Sequence, residues 1–250
     1  YMYSGRTAAW AFATLREKNI YKNVFIIGSS HIAAFDGASI FHGAAFETPL
    51  GHAEINTEIT STLQQNNIFK FPQQYQTEDH VLEVEIPFLQ YILEPGFKII
   101  PITIGTKSSY ALDKITEALK PYFTPDNLFV ISTDLSHYPS YSDAVKADSA
   151  VVQSILSGNP QTFDAVVRST ENAGIKNYVT AICGYSAVYI LMSLATDKDG
   201  FSYEKLKYSN SGDVSGDFNR VVGYASIAVR ECALKETQQK KDTFTISEND

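Results

Sequence analysis

Asn127-Leu128-Phe129-Val130-Ile131-Ser132-Thr133-Asp134-Leu135-Ser136-His137 passes from four consecutive apolar residues into a polar turn that closes on a histidine. Apolar and β-branched residues on consecutive positions, with no alternation, describe a strand buried on both faces, which is the habit of parallel sheets. Two other segments have this form. One is Asn23-Val24-Phe25-Ile26-Ile27-Gly28, which runs on into Ser29-Ser30-His31, and the other is Lys98-Ile99-Ile100-Pro101-Ile102-Thr103-Ile104-Gly105. Three doubly buried strands need helices on both sides of one sheet.

The helices are supplied between the strands. Ala8, Ala9, Phe12 and Leu15 recur at helical spacing before the first strand, and helical patterns run over about 54–65, 80–93, 109–120, 142–156, 160–169 and 180–196. Alternating helix and strand predicts a three-layer α/β/α domain with a mostly parallel central sheet. Phe201 to Ser209 and Val221 to Arg230 read as two further extended segments, joined by the turn-rich Asn210-Ser211-Gly212-Asp213-Val214-Ser215-Gly216-Asp217. No linker divides the chain, so residues 1–234 are expected to be one domain and the polar stretch 235–250 a solvated tail. The first residues, Tyr1-Met2-Tyr3-Ser4-Gly5, lack an initiator Met at position 1, and the natural protein is expected to begin upstream.

Composition narrows the function. Lys+Arg at 20 against Asp+Glu at 28 leaves a net charge of −8, which argues against binding to nucleic acid or to anionic membranes. No apolar run reaches the roughly 18–20 residues of a membrane helix, so no membrane partner is expected. Cys183 and Cys232 lie far apart with no C-x-x-C spacing, which fits reduced thiols in a cytoplasmic protein. G-x-S-x-G, P-loop, G-x-G-x-x-G and H-E-x-x-H motifs are all absent.

In open parallel sheets, ligands gather at the carboxyl ends of the strands. Two strand ends carry a histidine there: His31 after 24–27, and His137, three residues beyond Asp134, after 128–131. A third histidine, His80 in Glu78-Asp79-His80-Val81-Leu82-Glu83, would share a helix face with Glu83. Imidazoles beside carboxylates serve either as metal ligands or as proton carriers, and spacing alone leaves both roles open for His31, His80, Asp134 and His137. Cys183 stands near the start of an apolar helix, where an accessible thiol gains acidity and a buried one is inert. His42, His52 and Cys232 are expected to be structural or incidental.

Seven short motifs lie in order along positions 1 to about 230. They are Tyr1-Met2-Tyr3-Ser4-Gly5, Phe25-Ile26-Ile27-Gly28-Ser29-Ser30-His31, Thr48-Pro49-Leu50-Gly51, Glu78-Asp79-His80-Val81-Leu82-Glu83 with Ile86-Pro87, Ser132-Thr133-Asp134-Leu135-Ser136-His137, Ile182-Cys183-Gly184, and Ser211-Gly212-Asp213-Val214 with Gly223-Tyr224-Ala225. In this arrangement the chain resembles the Memo family, including the Memo-like protein of the AmmeMemoRadiSam system, whose fold is similar to that of class III extradiol dioxygenase catalytic subunits. The resemblance implies that His31 is a ligand in a redox-active site for Fe(II), with copper or zinc as alternatives, and that His80, Asp134, His137 and Cys183 line the same cleft.

The family's first metal histidine lies in a Pro-His-Ala-Gly segment before the position of Tyr1, so an N-terminal strand is missing from this chain by comparison. Animal members place a metal-binding cysteine where Val214 stands here, and Asp213 beside it is the expected oxygen ligand, with a turn role as its alternative. The implied enzyme is a metal-dependent dioxygenase or oxidoreductase in which His80 or His137, oriented by Glu83 and Asp134, moves protons. The same cleft without turnover would be a metal- or peptide-binding module, and a metal-assisted hydrolase is a third possibility. A small molecule or peptide is the expected ligand, and a radical-SAM protein the partner that the family association implies.

Overall fold

The structure is a computed structural model, and it describes residues 1–17, 20–72, 74–196 and 200–232. At its centre is β1 (Asn23–Ser29), whose side chains alternate between two apolar layers: Phe25 and Ile27 enter one, Val24 and Ile26 the other, and all four are fully buried. β5 (Lys98–Ile104) and β6 (Asn127–Ser132) flank it in parallel, with Ile27 level with Ile102 on one side and Ile131 on the other. The short β2 (Ala38–Ile40) adds to β5 antiparallel, giving the order β2-β5-β1-β6.

Helices close both faces. α1 (Gly5–Ala13) and α4 (Ile86–Ile92) cover one, where Phe12, Ile86 and Leu89 pack on Val24, Ile26 and Ile99. On the other, α5 (Ser109–Leu119) and α8 (Tyr185–Thr196) bring Leu112, Ile115 and Ile190 onto Phe25, Ile27 and Ile102, and α6 (Tyr141–Leu156) and α7 (Pro160–Glu171) extend that layer. The expected three-layer α/β/α architecture is therefore present. The side chains of Asn56, Ser140 and Asn159 cap α2 (Thr57–Gln64), α6 and α7, each accepting a backbone N–H that the first turn would leave unpaired.

The remaining elements sit at the periphery. β3 (Ala45–Thr48) and β4 (Gly51–Glu54) form a hairpin, α3 (Gln74–Thr77) is a single turn, and β7 (Phe201–Asn210) pairs antiparallel with β8 (Gly223–Glu231) across a loop holding the short α9 (Gly212–Ser215). Among the described residues no helix is long and apolar enough to cross a membrane. The expected tail, 235–250, lies outside the described residues.

Three helices start later than their periodicity suggests, and each has a competing bond. The stretch before α2 is taken by β4 and by Ile55, which bridges to Ile99. Before α4, Val81 N donates to Asp79 Oδ1 at 3.2 Å, and residues 83–85 form a 3-10 turn in place of the first helical turn. Before α8, the amides of Cys183 and Gly184 donate across the molecule to Asp134 O (3.2 Å) and Thr133 Oγ1 (2.8 Å). That last cross-connection builds the site.

Candidate metal centre

β1 and β6 are parallel with Gly28 level with Ser132, so His31 and Asp134 leave the sheet at the same edge. Beyond Ser132 the chain is held from both sides: Leu135 N donates to Gly223 O (2.8 Å), His137 N to Thr180 O (3.1 Å) and Tyr138 N to Val221 O (2.7 Å). Leu135 and Ser136 are buried, Ser136 N donating to the fully buried Asp148. These bonds fix which side chains turn inward and leave Asp134 and His137 facing Cys183.

Cys183 is brought against this loop by close packing at Gly184. A Cβ on Gly184 would lie 2.5 Å from Thr133 Cβ, nearer than any real methyl contact, so only glycine lets the loop before α8 meet the loop after β6. Cys183 Sγ then accepts the Asp134 N–H at 3.1 Å. One ligand atom from each of Asp134, His137 and Cys183 falls within 4.8 Å of the others, and the group is the only one of its kind among the described residues. His137 Nε2 stands 3.8 Å from Asp134 Oδ2, in ion-pair range but too far for a hydrogen bond, and it is buried with no hydrogen-bond partner.

His31, the expected ligand, approaches from the β1 side but is not one of the three donors of the group. Its backbone N–H donates to Asp79 Oδ2 (2.8 Å) and its Nδ1 lies 3.3 Å from Asp79 Oδ1, so a buried carboxylate fixes both backbone and ring. Cys183 and the two imidazoles polarise one another. The neighbouring Cys183, and then Asp79, hold the His31 ring protonated up to about 9, against burial. Asp134 first and Cys183 next do the same for His137, also to about 9. Burial pushes the Cys183 thiol up, but the neighbouring His137 and His31 imidazoles outweigh it and bring it down to about 6. Glu85, beneath this edge, is raised to about 7 by burial and by the charge of Asp134, with a Ser132 hydrogen bond opposing.

The donors fit a small transition-metal ion. Ligand atoms about 2.0–2.3 Å from a tetrahedral ion lie roughly 3.3–3.7 Å apart, a spacing that the 3.8 Å between His137 Nε2 and Asp134 Oδ2 already approaches. The unpartnered His137 Nε2 is the atom such an ion would satisfy.

The other expected site residues stand apart. His80 bonds Glu83 (Nδ1 to Oε1, 2.8 Å) as expected from their spacing, but its ring is largely solvent-exposed and does not join the group. Asp213 uses both carboxylate oxygens locally, Oδ1 accepting from Tyr141 OH (2.9 Å) and Oδ2 from Asn210 N (3.0 Å). Asp79 and Glu85 were not singled out by sequence. The one sign of Asp79 was its place beside His80, since its partner His31 lies 48 residues away.

The Memo-like protein family model matches residues 1–228. The chain belongs to the Memo-like family. This Memo-like protein is 38% identical to a MEMO1 family protein of Thermoplasma volcanium over 90% of the present chain and 80% of that one. It is 35% identical to a MEMO1 family protein of Thermoplasma acidophilum, covering 90% and 81%. Among solved structures it resembles an uncharacterized protein from Escherichia coli K12 with a TM-score of 0.52 at 10% identity, covering 86% of this chain and 91% of that one, which is a likeness of fold alone.

Proposed function

We propose that this Memo-like protein is a metal-dependent oxidoreductase whose centre is held by Asp134, His137 and Cys183, with His31 lining the same cleft. The single observation that carries this reading is the convergence of three donors within 4.8 Å, one of them a buried imidazole nitrogen with no other partner. A thiolate, an imidazole and a carboxylate together suit Fe(II), copper or zinc and are a poor match for Mg²⁺ or Ca²⁺. Bound iron or copper would supply electron-transfer and dioxygen chemistry at this position.

The chain's own residues supply the rest. His31, fixed by Asp79, keeps a proton on its ring at neutral pH and offers a donor to an anionic ligand in the cleft. Glu85, with its carboxyl raised to about 7, is poised to gain or lose a proton beside Ser132 and Asp134. Two free cysteines and the absence of a membrane-spanning helix among the described residues support a cytoplasmic setting.

The test is anaerobic Fe(II) titration followed by oxygen uptake with a panel of catechols. Wild-type protein is expected to bind near one equivalent and to consume oxygen only when a catechol is present. His137→Ala and Cys183→Ser are each expected to weaken metal binding at least about tenfold, as loss of a ligand or its orienting partner does. Unchanged metal affinity in both variants would overturn the ligand assignment, and metal binding without oxygen uptake would overturn the oxidoreductase reading.

A further inference from the structure

The inner face of α6 is apolar except at one place. Ala144, Ala147, Val151, Val152 and Ile155 are buried at helical spacing, and Asp148 stands among them with no exposed surface. Among the described residues it is the one acidic or basic side chain that is buried completely. Its two hydrogen-bond partners are uncharged donors: Ser136 N reaches Oδ1 at 3.0 Å and Tyr208 OH reaches Oδ2 at 2.8 Å.

Burying a carboxylate costs free energy that neutral donors offset only in part, and an apolar side chain of the same shape often serves packing as well or better. Packing therefore does not account for Asp148. What the carboxylate adds is a hold on Ser136, the residue next to His137. The same stretch is tied to the start of β8, where Gly223 N donates to Ser136 O (2.9 Å) and Leu135 N to Gly223 O (2.8 Å). A Cβ on Gly223 would overlap Asp148 Oδ2, so β8 comes this close only because residue 223 has no side chain. Tyr208, level with Ala225 in the β7–β8 ladder, holds the second oxygen. Three elements, α6, β7 and β8, thus converge on the loop that carries two of the three metal-capable donors.

We propose that Asp148 is a positioning residue for the metal centre: its carboxylate, steadied by Tyr208, holds the Ser136 amide and so keeps Asp134 and His137 turned toward Cys183. The inference rests on the centre proposed above and assigns its support to a residue that is none of its ligands. A metal site whose donors already converge binds more tightly than one that must first be assembled.

The test is Co(II) titration of the whole chain, read by cobalt–thiolate absorption, beside the Cys183 thiolate absorption of the metal-free protein at pH 7, with Cys232→Ser as the common background. Asp148→Leu keeps the branched shape and removes the acceptor. It should weaken cobalt binding at least about tenfold, as loss of a ligand's supporting partner does, and should lose most of the metal-free thiolate signal as His137 leaves Cys183. Asp148→Asn, whose Oδ1 still accepts from Ser136, should restore both readouts to the wild-type values. Ile27→Ala, less stable but with the bonds of the loop intact, should also match wild type in both, which separates position from stability. Tyr208→Phe removes one hydrogen bond and should weaken cobalt binding about threefold, and it decides the matter should Asp148→Leu not fold. Wild-type behaviour in Asp148→Leu and Tyr208→Phe, or an equal loss in Asp148→Asn and Asp148→Leu, would overturn the proposal. Absence of a cobalt band in the wild type would overturn the metal reading alone, and the thiolate signal would then still decide the role of Asp148.

Discussion

At Cys183, burial favours the neutral thiol while His137 and His31 favour the thiolate, and the imidazoles prevail. In metal-free protein the alkylation rate of Cys183 by iodoacetamide should therefore rise with a midpoint near pH 6, well below the roughly 8.5 of a free thiol. In His137→Ala the midpoint should move upward; a midpoint in the ordinary thiol range in wild-type protein would contradict the arrangement. The same groups set a pH window for stability. The imidazoles, raised to about 9, contribute stability that is full below their unfolded value and lost as pH rises through about 9. The thiol, lowered to about 6, contributes stability that is full above its unfolded value and lost as pH falls through about 6. These are two sides of one ion pair, intact between about 6 and 9. The urea midpoint of metal-free wild type should exceed that of Cys183→Ser most strongly inside that window, and a difference that is flat from pH 5 to 10 would exclude the pair.

Among the elements, β1 and the loop before α8 do different work. Ile27 is fully buried on the central strand, level with Ile102 and Ile131, so Ile27→Ala should lower the unfolding free energy by about 2–5 kcal/mol in a denaturant titration without altering metal stoichiometry. Gly184→Ala forces a methyl onto Thr133 and should cost about 1–3 kcal/mol, and it should weaken metal binding as well, because Cys183 moves with the backbone. A Gly184→Ala protein of wild-type stability and metal affinity would show that the close approach is not needed. The contrast marks what sequence can convey. Strands β1, β5 and β6 were legible because consecutive β-branched residues report burial directly, and His31, Asp134 and His137 because strand ends in a parallel sheet collect ligands. Helix starts were legible only to within about two turns, since at Cys183, Gly184 and Val81 the amide finds a partner that no local pattern reveals. β2 and the β3–β4 hairpin are short and made largely by partners distant in sequence or by turn chemistry, and the role of Asp79 depends on a residue 48 positions away.

For the whole molecule, a metal that binds the folded chain and not the unfolded one raises its stability by mass action. At about 100 times the dissociation constant the gain is roughly 2.7 kcal/mol. At about 2–4 °C per kcal/mol for a chain of this size, that is a rise of roughly 5–11 °C in melting temperature. The rise should vanish in a variant lacking both His137 and Cys183, and an equal rise there would place the metal elsewhere. The most direct measurement on the central claim is Co(II) substitution followed by near-ultraviolet absorption, because a cobalt–thiolate bond has its own charge-transfer band. The wild-type protein and Cys232→Ser are predicted to show this band at one equivalent of cobalt, and Cys183→Ser to lack it. A band that persists in Cys183→Ser, or no band in the wild type, would contradict a centre built on Asp134, His137 and Cys183.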